Sequence, residues 1–264
     1  TEVSKTKEEK RAVKNTAAGK LKISKRNKKF WFEKYRWAIL SNGSLFIGGK
    51  DAKGNDTLVK KHLNSTDLYF HADLHEAPSC SLKLNEGLEV VKVTNEKLPE
   101  GVVSLKINQE LNKEIDDARD FSEKIHQEAA QISVCWSRAW GSGGSAATAF
   151  YARPSQVSKT TESGESLGRG SFVVRGKRNW HKDISLNMGI GIGLINGVPL
   201  PILGTPETIS KIFPRWGKII PSKEKKEILA NKISKATGLA QDDILSCLPP
   251  GGCTLENHGL IINN

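Results

Sequence analysis

The chain lacks the signatures that mark most membrane and enzyme classes. No apolar run is long enough to span a bilayer. The greasiest stretch, Ile184 to Leu203, is interrupted by Gly189, Gly191, Gly193, Gly197, Pro199 and Pro201, and it reads as strands and turns. Residues 1–29 contain no apolar h-region, so no signal peptide is expected. The four cysteines (Cys80, Cys135, Cys247, Cys253) form no C-x-x-C pair. That argues against a zinc site or a disulfide framework and for free thiols in a reducing cytosol. A G-x-S-x-G nucleophile motif and a P-loop are both missing. The run Gly189-Ile190-Gly191-Ile192-Gly193 fails the dinucleotide fingerprint, which needs two residues before its last glycine. It is expected instead to let one strand approach another backbone closely. These gaps leave no catalytic machinery in view, and we expect no enzyme, no cofactor and no metal.

What is present is positive charge, unevenly spread. The 264 residues carry a formal net charge of +11, with 37% hydrophobic and 26% charged residues. That length holds one large domain, or one domain with a smaller appendage. Residues 1–29 contain eleven Lys or Arg against three Glu, which is +8 of the total +11. A basic arm ahead of a near-neutral domain suggests a polyanionic partner, most often nucleic acid, although a solvated tail has the same composition. A first residue of Thr is what a fragment of a longer protein would show.

Along the chain, residues 1–29 read as a basic arm or the end of a coiled-coil helix. Trp37 to Leu40 reads as a strand, Asn42-Gly43 as a hairpin turn, and Leu45-Phe46-Ile47 as the returning strand. A short helix is expected from Asn55 to Leu63. Apolar residues at Leu111, Ile115, Ala118, Ile125, Ala129 and Ile132 predict one long amphipathic helix from Leu111 to about Trp136. Ala149 to Ala152 and Ser171 to Arg175 read as strands around a Ser/Gly/Thr-rich loop, Thr160 to Gly170, and two short helices are expected between Pro221 and Cys247. Strands and helices mix without regular βαβ spacing. The predicted class is therefore α+β, with a mixed, largely antiparallel sheet flanked by helices.

Two stretches carry candidate chemistry. Asp67 to His75 alternates at a period of two. Leu68, Phe70, Ala72 and Leu74 form one face; Asp67, Tyr69, His71, Asp73 and His75 form the other, predicted to be exposed. A His71/Asp73/His75 metal site is geometrically unfavourable, because residues i and i+4 of a strand lie about 13 Å apart at about 3.3 Å per residue. Zinc–nitrogen bonds are only about 2 Å long. Acid–base work by imidazole beside carboxylate remains an alternative, as a tRNA- or RNA-modifying enzyme. The second stretch, Arg175-Gly176-Lys177-Arg178-Asn179-Trp180-His181, sets three cations beside an indole, a mixture suited to phosphate contact plus stacking.

Several motifs taken together resemble a known family. Phe32-Glu33-Lys34-Tyr35-Arg36-Trp37, Gly48-Gly49-Lys50-Asp51-Ala52 with Asn55, and Asp67-Leu68-Tyr69-Phe70-His71-Ala72-Asp73 occur in order. Ser137-Arg138-Ala139-Trp140, Gln156-Val157-Ser158-Lys159 and Ser171-Phe172-Val173-Val174-Arg175-Gly176-Lys177 follow. They resemble the NFACT-R domain of the NFACT (ribosome quality control) proteins, over about residues 30–180. Residues 184–252 resemble the extension of the archaeal and eukaryotic branch. The resemblance implies three regions: an arm (1–29), an NFACT-R-like core (30–183), and a C-terminal extension packed on that core (184–264). It also implies a cytoplasmic, RNA-binding role on a large ribosomal subunit that carries a stalled peptidyl-tRNA. There, family members recruit tRNA and support template-free, often alanine, tailing of the nascent chain. The implied partners are large-subunit RNA and tRNA, with a ubiquitin ligase or other quality-control factors as partners of a full-length protein, and no membrane. An alternative is a protein-interaction module docking on ribosomal proteins. We assign phosphate contacts to Lys25, Arg26, Lys28, Lys29, Arg175, Lys177 and Arg178. Arg36, Arg138, Trp140 and Lys159, from the matched motifs, join His71, Asp73 and His75 as further RNA contacts. Glu76 stands where the family usually has glycine, and its carboxylate would repel phosphate at that turn.

Overall fold

The structure, a computed structural model, describes residues 14–15, 21–22, 28–92, 98–142, 147–257 and 259–260. Lys25 and Arg26, and all of the arm before Lys28 except two short pairing segments, lie outside the described residues. Those segments, β1 (Lys14–Asn15) and β2 (Leu21–Lys22), pair antiparallel with each other.

The Asn42-Gly43 turn joins β3 (Arg36–Ile39) to β4 (Ser44–Gly48), an antiparallel hairpin with Ile39 opposite Leu45. Gly43 sits at φ +83, and a Cβ there would come within 2.7 Å of the Leu88 carbonyl oxygen. Glycine is thus required by both backbone conformation and space. Helix α1 (Ala52–His62) follows, capped by the Asp51 carboxylate, which accepts from the Gly54 N–H at 2.6 Å. Then come β5 (Leu68–Ala72), β6 (Cys80–Val90) and β7 (Val102–Asn108), with β6 antiparallel to β5 and β7 antiparallel to β6. Helix α2 (Glu123–Cys135) and the short α3 (Ala139–Ser142) lead to β8 (Ala147–Ala152), which pairs with β5. The two-residue strands β9 (Val157–Ser158) and β10 (Val173–Val174) clip the base of the Ser/Gly/Thr-rich loop. Strand β11 (Asn179–Ile184) adds to the outside of β8.

The remaining elements are β12 (Met188–Ile195), β13 (Val198–Gly204), α4 (Pro206–Ile212), β14 (Gly217–Pro221), α5 (Lys226–Thr237), α6 (Gln241–Cys247) and β15 (Cys253–Leu255). An eleven-stranded sheet runs through both halves of the chain, in the order β11-β8-β5-β6-β7-β12-β14-β15, with β13, β3 and β4 branching off. Its pairings are antiparallel except β12 beside β7, where Ile192 lies opposite Val102. The class is α+β with a mixed, largely antiparallel sheet, as the pattern of elements predicted.

Successive residues of β3 and β4 serve opposite cores. Ala38 and Phe46 enter a large cluster with α2, whereas Trp37, Ile39, Leu45 and Ile47 enter a second with Phe32, Leu58, Ile209 and Phe213. Phe46 lies 5.4 Å from Trp136 in a stacked pair and 5.6 Å edge-on from Phe70. The sheet is therefore covered on both faces, which explains the near-continuous apolar runs in its central strands.

Four expectations need correction. The long helix from Leu111 is not formed: α2 has 13 residues and starts at Glu123. Before it, the Asn112 amide is buried, donating to Ser44 Oγ at 3.0 Å and the Leu84 carbonyl at 2.7 Å. Asp117 caps a 3₁₀ turn, Ala118–Asp120, through the Arg119 N–H. These local bonds take the backbone out of the helical path. The helix that forms also buries His126, Glu128 and Ser133, so its inner face is partly polar. Second, the predicted polar face of Asp67–His75 is not uniformly exposed, since Asp67 and Tyr69 are each 2% exposed. Third, the glycines of β12 admit side chains, not a neighbouring backbone. A Cβ at Gly191 would meet the Phe213 ring at 2.4 Å, and one at Gly189 would meet Ile209 at 2.7 Å. Fourth, Ser171–Arg175 yields only the two-residue β10.

Candidate nucleic-acid interface

Three of the motifs read from the sequence, Gly48–Ala52 with Asn55, Asp67–Asp73 and Ser171–Lys177, contribute to one cleft of about 920 Å³. Three segments build its walls: residues 49–55 entering α1, the β5–β6 turn at 71–79, and residues 169–174 with Arg178, at and after the end of the Ser/Gly/Thr-rich loop. Asn55 ties the first two walls together, accepting from the Ser79 N–H at 3.1 Å. Asp56 ties in the third, accepting from the Gly170 N–H at 3.0 Å and Lys159 Nζ at 2.7 Å.

Burial sorts the Asp67–His75 segment. Asp67 faces Lys83, with Oδ2 and Nζ 2.5 Å apart and both side chains almost fully buried. Lys83 also donates to the His62 carbonyl, and Asp67 accepts the Asn64 and Leu84 N–H groups. This pair pins α1 and β6 to β5 and is structural. The Tyr69 hydroxyl is bonded to Ser79 Oγ at 2.9 Å, and burial pushes its pKa above the ordinary tyrosine value. His71 is half-buried on the cleft wall, its ring parallel to Tyr69 at 6.2 Å. Desolvation holds its imidazole below the usual histidine pKa, while the carbonyls of Ala72 and Ala77 and the Asp73 charge pull the other way. Strand β5 ends at Ala72, so Asp73, Leu74, His75 and Glu76 form an exposed turn at the cleft mouth. His71, Asp73 and His75 share this cleft wall. No group of three or more His, Cys, Asp or Glu suited to a metal ion occurs among the described residues.

Beside His71, across the β5–β8 pairing, the cleft is cationic and aromatic. The Arg178 guanidinium lies 4.9 Å over the Phe150 ring and donates to the Val174 carbonyl. Phe150 is 5.1 Å from the partly exposed Trp180 and 6.0 Å from His71. Lys177 is exposed beside it. Gln156 sets the backbone of this stretch, donating to the carbonyls of Arg175 and Lys177 at 2.7 Å each.

Several other predicted contacts are engaged in the fold. Arg175 donates to the Thr160 and Thr161 carbonyls and so folds the loop on itself. Lys159 bonds Asp56 and the Gly168 and Ser171 carbonyls, and lies 4.6 Å from the Phe172 ring centroid. Arg36 donates to the Leu248 carbonyl at 3.1 Å. Trp140 is 1% exposed and donates to the Gly252 carbonyl, so it has no free face for a base. Arg138 is exposed and paired with Glu76 at 3.0 Å. Lys28 and Lys29 are exposed, and Lys29 lies 3.9 Å from Asp243.

Sequence reasoning missed Lys50, Arg169 and Phe172, which also line the cleft. Lys50 donates to the Glu33 carbonyl. Burial first, then the nearby Arg36 and Lys29 charges, lower its pKa. The available signal was the Gly48-Gly49-Lys50-Asp51 run, read as a family motif but not as a contact, and the one arginine near the end of the Ser/Gly/Thr-rich loop.

The family described as the NFACT protein RNA binding domain matches residues 28–176. This chain belongs to the NFACT family. It is 36% identical over 239 residues to the archaeal Rqc2 homolog aRqcH of Methanocaldococcus jannaschii, covering 89% of this chain and 30% of that protein. It is 35% identical over 167 residues to the human ribosome quality control complex subunit NEMF, covering 63% of this chain and 12% of that one. It is 30% identical over 178 residues to ribosome quality control complex subunit 2 of Schizosaccharomyces pombe, covering 67% and 14%. The chain thus spans less than a third of the length of these relatives. In this NFACT chain Glu76 adopts φ +62, a left-handed conformation that favours glycine. That explains why glycine suits the turn and what the glutamate strains.

Proposed function

We propose that this chain is the RNA-binding domain of a ribosome quality control factor. It holds that factor on RNA of the large ribosomal subunit and on tRNA, while a stalled peptidyl-tRNA is still in place. It thereby supports template-free C-terminal tailing of the nascent chain in the cytoplasm. In this reading the domain contributes binding and no reaction of its own. The observation that carries the proposal is Arg178 lining a cleft built partly from the family's own motifs, with exposed Lys177 next to it in the chain and exposed Trp180 packed 5.1 Å from the lining Phe150. Cations beside an exposed indole suit phosphate contact with stacking. No helix among the described residues is long and apolar enough to cross a membrane.

The test is co-sedimentation with large ribosomal subunits across a salt series. Reversing both charges (Lys177→Glu with Arg178→Glu) is expected to weaken binding and flatten its salt dependence. Unchanged binding would remove these residues from the interface. Association that survives nuclease treatment would point to ribosomal proteins instead.

A further inference from the structure

The cleft is chemically unlike a phosphate groove. Its lining holds three cations, Lys50, Arg169 and Arg178, but also three carboxylates, Asp51, Asp73 and Glu76. Two of the carboxylates are engaged: Asp51 caps α1 and Glu76 pairs with Arg138. Asp73 stands exposed at the mouth, where an anion suits hydrogen-bond donors and repels phosphate. A surface evolved only to follow a duplex backbone would gain nothing from this carboxylate.

We infer that the cleft takes one unpaired nucleotide of single-stranded RNA, its base laid against Arg178 beside His71 and its phosphate at the Lys50/Arg169 rim. This rests on the RNA-binding reading above and narrows it to a substrate class. The volume, about 920 Å³, lies within the roughly 300–1,000 Å³ of sites that enclose a small ligand. Arg178 is exposed, with one side backed by the Phe150 ring 4.9 Å away, so the planar guanidinium offers a supported stacking surface. His71, half-buried on the cleft wall with its ring 6.0 Å from Phe150, bounds the space in which the base lies. Asp73 accepts from a base amino group or a ribose hydroxyl, both donors that an unpaired nucleotide exposes. Bases stacked inside a duplex cannot enter the cleft, so double-stranded RNA makes no use of it.

The experiment measures binding of a single-stranded hexanucleotide RNA and of the same sequence in a duplex, by fluorescence anisotropy. Photo-crosslinking of a 4-thiouridine-labelled hexanucleotide then maps the contact by mass spectrometry. The expected result is a preference for the single strand, with crosslinks in residues 71–79 or 169–180. Arg178→Ala should weaken single-strand binding about tenfold, the scale of one lost stacking contact. Arg178→Lys separates stacking from charge, since it keeps the charge without the plane. Lysine as weak as alanine supports a stacked base, whereas full rescue by lysine overturns it. Asp73→Asn should change preference among the four bases while leaving duplex binding alone. Crosslinks elsewhere, with Arg178→Ala binding as tightly as the parent, would overturn the cleft but leave an RNA-binding domain. A parent protein that binds neither RNA overturns both. Protection of the same residues by ribosomal proteins after nuclease treatment would likewise give the cleft to a protein partner and overturn the inference.

Discussion

Asp67 and Asp73 belong to one nine-residue segment and to the same side of one alternating pattern, yet they do opposite things. Asp67 is 2% exposed, facing a lysine that is buried equally well. Asp73, just past the end of β5, stands in the open mouth of a cleft. The first carboxylate holds three elements together, and the second is available to a ligand. Alternation assigns a side chain to a face of a sheet. How deep that face lies depends on what the rest of the chain packs over it. Here α1 and β6 cover the start of the segment, and its end is left exposed among the described residues.

The largest effect that could break this contrast comes from Asp67. Asp67→Ala leaves the buried Lys83 ammonium with only the more distant and more exposed Glu86 carboxylate, 3.7 Å away, and should cost about 3 kcal/mol. Asp73→Ala should stay within about 0.5 kcal/mol of the parent. Urea denaturation of the pair checks both, and similar losses at the two sites would erase the distinction. A smaller effect is expected at the turn itself. Glu76→Gly relieves a residue at φ +62 and should stabilise by roughly 0.5–1 kcal/mol, because the exposed ion pair with Arg138 contributes little. A net loss of stability would mean that this pair matters more than the backbone strain.

The smallest effect concerns pH. The His71 pKa is lowered by burial, so on acidification the unfolded chain takes up its proton first. Stability from this residue is intact above the unfolded pKa of about 6.5. It falls as pH drops from there toward the lowered folded value. His71→Gln should flatten that part of the stability–pH curve. An identical slope in the variant would show that the imidazole titrates as freely folded as unfolded.

Much of the architecture was legible. Asn42-Gly43 announced its hairpin because only glycine suits φ +83 at that turn. Three of the glycines between Ile184 and Leu203 marked the tightly packed β12. The α2 start was misread because Leu111, Ile115 and Ala118 keep helical spacing while Asn112 and Asp117 hold their backbone in turns. Periodicity cannot register a competing side-chain bond to Leu84 or Ser44. Of the candidate site, His71, Asp73, His75 and Arg178 were legible as types and do meet at the cleft. Trp140 and Lys159 were read as contacts because they lie in motifs that resemble the family's, although both side chains are engaged within the fold.

By itself the sequence determined the class of fold, the family and the residues that carry charge and aromatic surface. Those properties follow from local periodicity, turn chemistry and motif order, which need no knowledge of distant partners. Only the tertiary structure decided which of those residues are free. Asp67 is removed from service by Lys83, 16 residues away, and Trp140 by Gly252, 112 residues away. Arg178 is turned into a supported plane by Phe150 on another strand. Burial and pairing are set by long-range packing, so whether a polar side chain holds the fold or meets a ligand is settled only once the sheet has closed.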